Sequence, residues 1–307
     1  MRIIYLGTPH IATIPLRALH TMPGVDIVAV VTQPDRPSGR GRQLTPPPVK
    51  VAAQELGIAT IVQPDTLKDD AVVAQLASLA PDVGVVAAYG EILRANMLAI
   101  PRHGYLNIHP SLLPRHRGPA PVTSAILAGD HEIGVSVIKL ERKMDAGPIV
   151  AQTRRPMPPD ARAGALTEEL FYAGSRLLCD HLVAYINGTL VPTPQDDSQA
   201  SYIGMLSRDD GRIDWQQSAP HIERMIRAYD PWPGTFTMLN DQPFRILGAT
   251  VCDAHGQAGT LIDTPHGVAV ACGQGALLLH MVQPAGKSAM AASDWRRGLR
   301  TPLPQLG

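Results

Sequence analysis

Residues 82–110 read DVGVVAAYGEILRANMLAIPRHGYLNIHP, and this stretch decides the fold. It contains two short apolar runs, VGVVAAYG and YLNIHP, with a longer connection between them. Neither run alternates apolar with polar residues, so both faces of each predicted strand should be buried. Strands buried on both faces are typical of a parallel sheet covered by helices, and the stretch therefore predicts an α/β fold.

The same pattern continues on both sides of this stretch. Apolar runs that predict strands are separated by segments in which apolar residues recur at helical spacing. The predicted strands before residue 82 are 3–7, 25–33 and 60–64, and the predicted helices are 11–19, 47–58 and 69–79. Two later runs, 134–140 and 148–156, predict a hairpin-like addition, and a long helix should follow at 167–186.

The chain divides into two predicted domains. Its 307 residues exceed what one hydrophobic core usually supports. The polar, turn-rich segment GTLVPTPQDDSQAS at 188–201 is the candidate linker. Beyond it, a helix at 219–228 and short strands separated by glycine predict a small antiparallel barrel. We expect a Rossmann-like domain with a mainly parallel sheet at 1–188, a linker at 189–206 and an OB-like β-barrel domain at 207–307.

Composition excludes several classes of protein. Basic and acidic residues balance at 27 each, so a nucleic-acid partner would have to be bound by a local basic patch. The three cysteines are far apart in sequence, which argues against a disulfide framework or a zinc ribbon. No apolar stretch resembles a signal peptide or a membrane span. We expect a cytoplasmic, monomeric protein without membrane contact.

Three polar residues stand where an open parallel sheet binds its ligands, outside the carboxyl ends of the strands. Asn107 and His109 end one predicted strand, and their spacing of two places both side chains on one face. Asp145 lies in the turn after a later strand. An amide can stabilise an oxyanion, an imidazole can move a proton and a carboxylate can orient the imidazole. This set suits direct acyl transfer between two bound substrates.

Other catalytic motifs are missing. The turn after the first strand reads Gly7-Thr8-Pro9-His10 instead of a glycine-rich dinucleotide fingerprint. The sequence contains no Walker A motif, no G-x-S-x-G and no H-E-x-x-H. His103, His109 and His116 match no standard set of metal ligands, so we expect no metal.

These residues occur within longer motifs that resemble a known family. LNIHPSLLPRHRGPAPV and MDAGPIV resemble the motifs of the 10-formyltetrahydrofolate-dependent formyltransferases. The resemblance implies that Asn107, His109 and Asp145 are catalytic and that 10-formyltetrahydrofolate is the co-substrate. It also implies a set of folate contacts, namely Tyr89, Gly90, Ile92, Ser111, Leu112, Leu113 and Pro114.

One branch of this family is resembled more closely than the others. TQPDRPSGRGRQLTPPPVK at 32–50 is similar to the loop that tRNA-dependent members insert into the acceptor stem. RIIYLGTP, RIDW, RAYDPWPGTF and QPAGKSAMAA also resemble that branch. The resemblance implies formyl transfer to the α-amine of methionine on initiator tRNA. The tRNA contacts that we expect are Arg36, Arg40, Arg42 and Lys50 in the loop, with Arg245 and Lys287 in the second domain.

Alternatives remain open at this level. A nucleotide-amino-sugar formyltransferase would use the same folate donor and carries a similar C-terminal half. A folate-dependent hydrolase would replace the amine with water. A non-enzymatic RNA-binding protein with an inactive folate domain would not need the three polar residues.

Overall fold

The computed structural model describes residues 1–38, 41, 43–299 and 305–307. Its contacts divide the chain into two compact units. Unit 1 contains Met1–Pro121, Glu132–Pro156 and Thr167–Ile203, and unit 2 contains Val122–His131, Met157–Leu166 and Gly204–Gly307. The domain limits that we expect at 188 and 207 stay predictions, because compactness alone does not show where an independently folding domain ends.

Unit 1 is built around a seven-stranded sheet. The strands of its part of the chain are β1 Arg2–Gly7, β2 Asp26–Val31, β3 Arg36–Ser38, β4 Gln43–Thr45, β5 Ile61–Val62, β6 Val83–Ala87, β7 Tyr105–His109, β8 Glu132–Lys139 and β9 Ile149–Pro156. The sheet order is β5-β2-β1-β6-β7-β8-β9, and β3 pairs with β4 in a separate hairpin. The first five strands of the sheet are parallel. β6 is buried along its whole length, as its unbroken apolar run predicts.

The direction of β8 corrects one expectation. We expected the turn after this strand to lie at the carboxyl ends of parallel strands, but β8 and β9 are antiparallel additions. Lys139, the last residue of β8, therefore pairs with Leu106 near the start of β7. The expectation was wrong because an apolar run is equally compatible with either strand direction.

Helices flank the sheet strands in sequence. They are α1 Thr13–His20, α2 Pro48–Glu55, α3 Asp70–Ser78, α4 Ala95–Leu98, α5 Pro121–Ala128 and α6 Ala163–Ile186. Pro48 opens α2, where its missing amide hydrogen costs nothing. Asp69 caps α3 by accepting a hydrogen bond from the Ala71 amide at 2.9 Å. α6 starts four residues earlier than predicted, and the sequence patterns predicted neither α4 nor α5.

Unit 2 is dominated by a six-stranded antiparallel sheet. Its elements beyond residue 204 are α7 Ala219–Ala228, β10 Phe236–Leu239, β11 Gln242–Cys252, β12 Leu261–Thr264, β13 Gly267–Ala271, β14 Ala276–Pro284, β15 Met290–Ala291 and α8 Ala292–Arg297, and residues 122–128 of α5 belong to it as well. The strand order is β10-β11-β14-β13-β12, and β15 pairs with β14. Phe244 and Trp295 pack in its core with ring centroids 4.5 Å apart. The curled antiparallel sheet confirms the expected OB-like architecture.

Within the part of the chain that the structure describes, no helix combines the length and the apolar character needed to cross a bilayer.

Candidate active site

The carboxyl ends of β6 and β7 form the floor of the site. The two strands are neighbours and parallel, so the residues at their ends meet at one edge of the sheet. Asn107 lies opposite Val86 in this ladder and is half-buried. His109 follows two residues later and is only 4% exposed. The spacing of two thus brings the amide and the imidazole to the same face.

The ring of His109 is held in a defined orientation. Its Nε2 lies 2.9 Å from the carbonyl oxygen of His116. A carbonyl oxygen can only accept, so Nε2 carries the hydrogen and donates it. In the neutral ring the lone pair is therefore on Nδ1. That atom faces Asp145 Oδ2 at 3.8 Å, a separation too long for a hydrogen bond but short enough for a strong charge interaction.

Burial controls the charge of His109. Removal of the ring from water lowers the pKa of His109, and the Asp145 carboxylate opposes this effect without cancelling it. The ring is therefore neutral near pH 7, with Nδ1 available to take up a proton. Once protonated, Nδ1 would face a carboxylate, which stabilises the charged intermediate form.

Asp145 reaches His109 through a folded-back connection between β8 and β9. Its φ of 51° lies in the left-handed region, which aspartate tolerates better than most residues. Oδ2 accepts a hydrogen bond from the Gly118 amide at 2.8 Å. This bond fixes the carboxylate beside the imidazole although β8 itself runs away from the carboxyl edge of the parallel strands.

A cavity of about 140 Å³ opens beside these groups. Its lining comprises Val86, Glu91, Ile92, Leu93, Leu98, Asn107, Leu140, Glu141, Arg142, Met144 and Asp145. Three predicted site residues, Ile92, Asn107 and Asp145, are among them. The apolar lining residues carried no distinguishing sequence signal, because leucines next to strand ends look the same as core leucines.

The remaining predicted folate contacts, Tyr89, Gly90 and residues 111–114, are not among the residues that line this cavity. Tyr89 is buried, and its carbonyl accepts a hydrogen bond from Thr8 Oγ1 at 2.9 Å. Gly90 has φ of 96°, a conformation that favours glycine. Leu112 and Pro114 are half-buried.

The loop after His109 is fixed from below by side chains of β8 and β9. Ser136 Oγ donates to the Ser111 carbonyl at 2.7 Å. Gln152 Nε2 donates to the Leu113 carbonyl at 3.0 Å and to Ser136 Oγ at 2.8 Å. The loop is therefore anchored to β8 and β9, and neither Ser136 nor Gln152 was predicted from the sequence.

The predicted tRNA contacts fall into three groups. Arg36 is exposed on β3, whereas Lys50 forms an ion pair with Asp35 at 2.8 Å. Arg40 and Arg42 lie outside the described residues. In unit 2, Arg245 is half-buried on β11 and Lys287 is exposed just after β14.

No group of three or more His, Cys, Asp or Glu residues among those described could hold a metal ion.

Two family models match the chain. The model described as formyl transferase matches residues 1–182, and the one described as formyl transferase, C-terminal domain, matches residues 205–300. A methionyl-tRNA formyltransferase of Herpetosiphon aurantiacus is 59% identical over 98% of each chain. The methionyl-tRNA formyltransferase of Chloroflexus aurantiacus is 52% identical over 100% of each chain. That of Myxococcus xanthus is 41% identical over 97% of this chain and 95% of its own.

Solved structures share the fold at lower identity. WlaRD, a sugar 3N-formyl transferase, is 17% identical with a TM-score of 0.66, over 94% of this chain and 99% of its own. HypX from Aquifex aeolicus is 18% identical with a TM-score of 0.61, over 96% of this chain and 48% of its own. The two family models and the high identity to full-length relatives place this chain in the formyl transferase family, among the methionyl-tRNA formyltransferases.

Proposed function

We propose that this enzyme transfers the formyl group of 10-formyltetrahydrofolate to the α-amine of methionine on initiator tRNA. The observation that carries the proposal is that Asn107 and Asp145 line one cavity and that His109 Nδ1 lies 3.8 Å from the Asp145 carboxylate. The names of the full-length relatives supply the acceptor.

The chemistry requires one bond to form and one to break. The neutral amine nitrogen attacks the formyl carbon, whose oxygen gains negative charge in the tetrahedral intermediate. The side-chain amide of Asn107 stabilises that oxygen as a hydrogen-bond donor. His109 accepts the proton lost by the amine at Nδ1 and returns it to N10 of the folate, whose bond to the formyl carbon breaks. Asp145 stabilises the imidazolium between these two transfers.

The cavity suits the folate donor. Val86, Leu93, Leu98 and Leu140 give it apolar walls, as a flat pterin ring requires, and polar groups stand at its rim. We propose that the backbone around Tyr89, Gly90 and Ile92 holds the pterin. The loop Ser111, Leu112, Leu113 and Pro114 contacts the folate from the other side. No step in this scheme calls for a metal.

The tRNA contacts that we propose differ in whether their positive charge is already paired with a carboxylate. Arg36 is exposed, and its guanidinium donates at 3.5 Å to the uncharged amide oxygen of Gln33, so its positive charge remains available to a phosphate. The charge of Lys50 is already neutralised by Asp35, which makes it a weaker contact. Arg40 and Arg42 complete the loop, and Arg245 and Lys287 represent the C-terminal domain at 207–307. The enzyme acts in the cytoplasm as a monomer.

A transfer assay with several acceptors tests the function. Formyl transfer is measured with charged initiator tRNA, charged elongator tRNA and a nucleotide-linked amino sugar. We expect product only, or by far the fastest, with initiator methionyl-tRNA. Faster transfer to the amino sugar would assign the chain to the sugar branch, and loss of formyl to water at the same rate without any acceptor would assign a hydrolase.

A further inference from the structure

The backbone of residues 116–118 contacts both proposed proton-handling groups. The His116 carbonyl accepts from His109 Nε2 at 2.9 Å, and the Gly118 amide donates to Asp145 Oδ2 at 2.8 Å. The distance between the imidazole and the carboxylate therefore depends on where this short segment lies. Whatever fixes residue 117, between the two contacts, fixes the relative position of both groups.

Residue 117 is an arginine, and its side chain holds it in place. Its side chain is fully buried, which is unusual for arginine and costly unless every donor is paired. Nη1 donates to the Tyr202 hydroxyl at 2.9 Å, and Nη2 donates to Asp197 Oδ1 at 2.7 Å. Although burial opposes the charge, these hydrogen bonds outweigh it and raise the pKa of Arg117.

The partners of Arg117 belong to a segment that the sequence presented as a linker. Residues 193–203, here called the strap, run across unit 1 and are bonded to it at both ends. Thr193 exchanges backbone hydrogen bonds with Ile149 at 2.7 and 2.8 Å. Arg117 donates its amide to the Ser201 carbonyl and accepts from the Ile203 amide, at 2.8 and 2.9 Å.

Gln195 in the strap links Arg117 directly to the Asp145 connection. Its Oε1 accepts from Arg117 Nε at 3.2 Å and from Nη2 at 2.8 Å. Its Nε2 donates to the carbonyls of Asp145 and Gly147 at 2.8 and 2.7 Å. A primary amide can make four hydrogen bonds, and all four are made here. The side chain thus has one orientation that satisfies it.

We propose that Gln195 and Arg117 are positioning residues that hold Asp145 at its working distance from His109, so that the strap is a structural part of the active site. The contacts form a closed circuit from Asp145 through Gln195, Arg117 and Gly118 back to the Asp145 carboxylate. The assignment rests on the proposed function, because it presumes that His109 and Asp145 act together in proton transfer.

The test replaces Gln195 and leaves the buried charge of Arg117 in place. Gln195→Met keeps the volume but removes all four hydrogen bonds, while Arg117 retains Asp197 and Tyr202. The matched control is Gln199→Met in the same strap, because Gln199 is exposed and its side chain donates to its neighbour Asp196 at 2.8 Å. If Gln195→Met does not fold, Gln195→Asn replaces it, since the shorter amide cannot reach both carbonyls and the guanidinium together.

Two measurements separate positioning from a merely structural role. We expect Gln195→Met to lower kcat on the order of 100-fold with KM for both substrates nearly unchanged, as for a small misplacement of catalytic groups. We also expect the pKa of His109, followed by NMR of the ring, to fall. Asp145, His116 and Arg117 are the charged or titratable groups that act on this ring. The Asp145 carboxylate and the hydrogen bond to the His116 carbonyl raise the pKa of His109, whereas burial and the charges of His116 and Arg117 lower it. A carboxylate that moves away from the ring therefore leaves a lower pKa.

The outcomes are distinct. A fall in both kcat and the His109 pKa, absent in Gln199→Met, supports the proposal. Normal kcat, or lower kcat with an unchanged His109 pKa, overturns it. Failure of the proposed function would look different, because the unmodified enzyme itself would not formylate methionyl-tRNA, and the NMR comparison could still be made.

Discussion

At the scale of single residues, the site depends on how burial and charge balance at one imidazole. Spacing alone was enough to place Asn107 and His109 on one face, because side chains alternate along a strand. Spacing could not reveal that Nε2 of His109 is occupied by the His116 carbonyl and that Nδ1 is the free atom. That information resides in a backbone group seven residues away, which no side-chain pattern encodes.

Removal of each catalytic side chain should lower turnover and leave the fold intact. We expect Asn107→Ala to reduce kcat by about 100- to 1000-fold, the usual effect of losing one oxyanion donor. His109→Ala should reduce kcat by about 100- to 10,000-fold, because water must then carry out the proton transfer. Steady-state kinetics with initiator methionyl-tRNA measure both, and circular dichroism verifies the fold. Near-normal turnover in His109→Ala would remove it from the mechanism.

The protonation of His109 should depend on Asp145. Because burial lowers the pKa of His109, its NMR titration should have a midpoint below the ordinary value of 6.5. The unfolded chain then binds more protons in the window just below 6.5, so this group's contribution to stability is present above that pH and lost as pH falls. Asp145→Asn removes the opposing charge and should move the midpoint lower still. An upward shift in Asp145→Asn would contradict this account.

At the scale of elements, the sequence predicted which segments form strands better than it predicted the direction of each strand in the sheet. The parallel order of β1, β2, β6 and β7 follows from unbroken apolar runs joined by helices. The hairpin of β8 and β9 was predicted from their short connection. The antiparallel direction of β8 against β7 was not, because the long connection 110–131 between them is compatible with either direction. The structural role of the strap could not be predicted either, because its contacts are long-range hydrogen bonds made by a segment rich in turn residues.

Substitution of Gly118 tests whether the close approach of the strap is needed for stability and activity. A Cβ added there would lie 2.1 Å from the Ile203 carbonyl oxygen, so the strap would have to shift. Gly188 also has positive φ, but a Cβ there meets nothing within 4 Å. We expect Gly188→Ala to cost about 1 to 2 kcal/mol of unfolding free energy from backbone strain alone. Gly118→Ala should cost more and also lower kcat, as measured by denaturant unfolding and by transfer assays. Equal losses in the two variants would show that the close contact is unimportant.

At the scale of the whole molecule, the balanced charge of 27 basic and 27 acidic residues leaves tRNA binding to local groups. Many of the arginines in the described residues are already paired, as Arg155 is with Glu169 and Arg296 is with Asp263. Sequence could identify the basic loop at 33–50 but could not show which of its charges are free. The pairing of Lys50 with Asp35 depends on a fold that brings residues 15 positions apart together.

The salt dependence of tRNA binding should therefore distinguish basic side chains that bind phosphate from those already neutralised by a carboxylate. Each phosphate contact releases condensed counterions, so binding of initiator tRNA should weaken linearly on a double-logarithmic plot against salt. Arg36→Ala should weaken binding and reduce the magnitude of that slope by about 1, whereas Lys50→Ala should change it less because Asp35 already neutralises the lysine. Arg176→Ala, which removes one exposed positive charge from α6, is the control for net charge and should leave the slope unchanged. The folate KM should stay constant in all three variants. If Arg176→Ala and Arg36→Ala reduced the slope equally, binding would depend on overall charge, and Arg36 would lose its assignment as a specific phosphate contact.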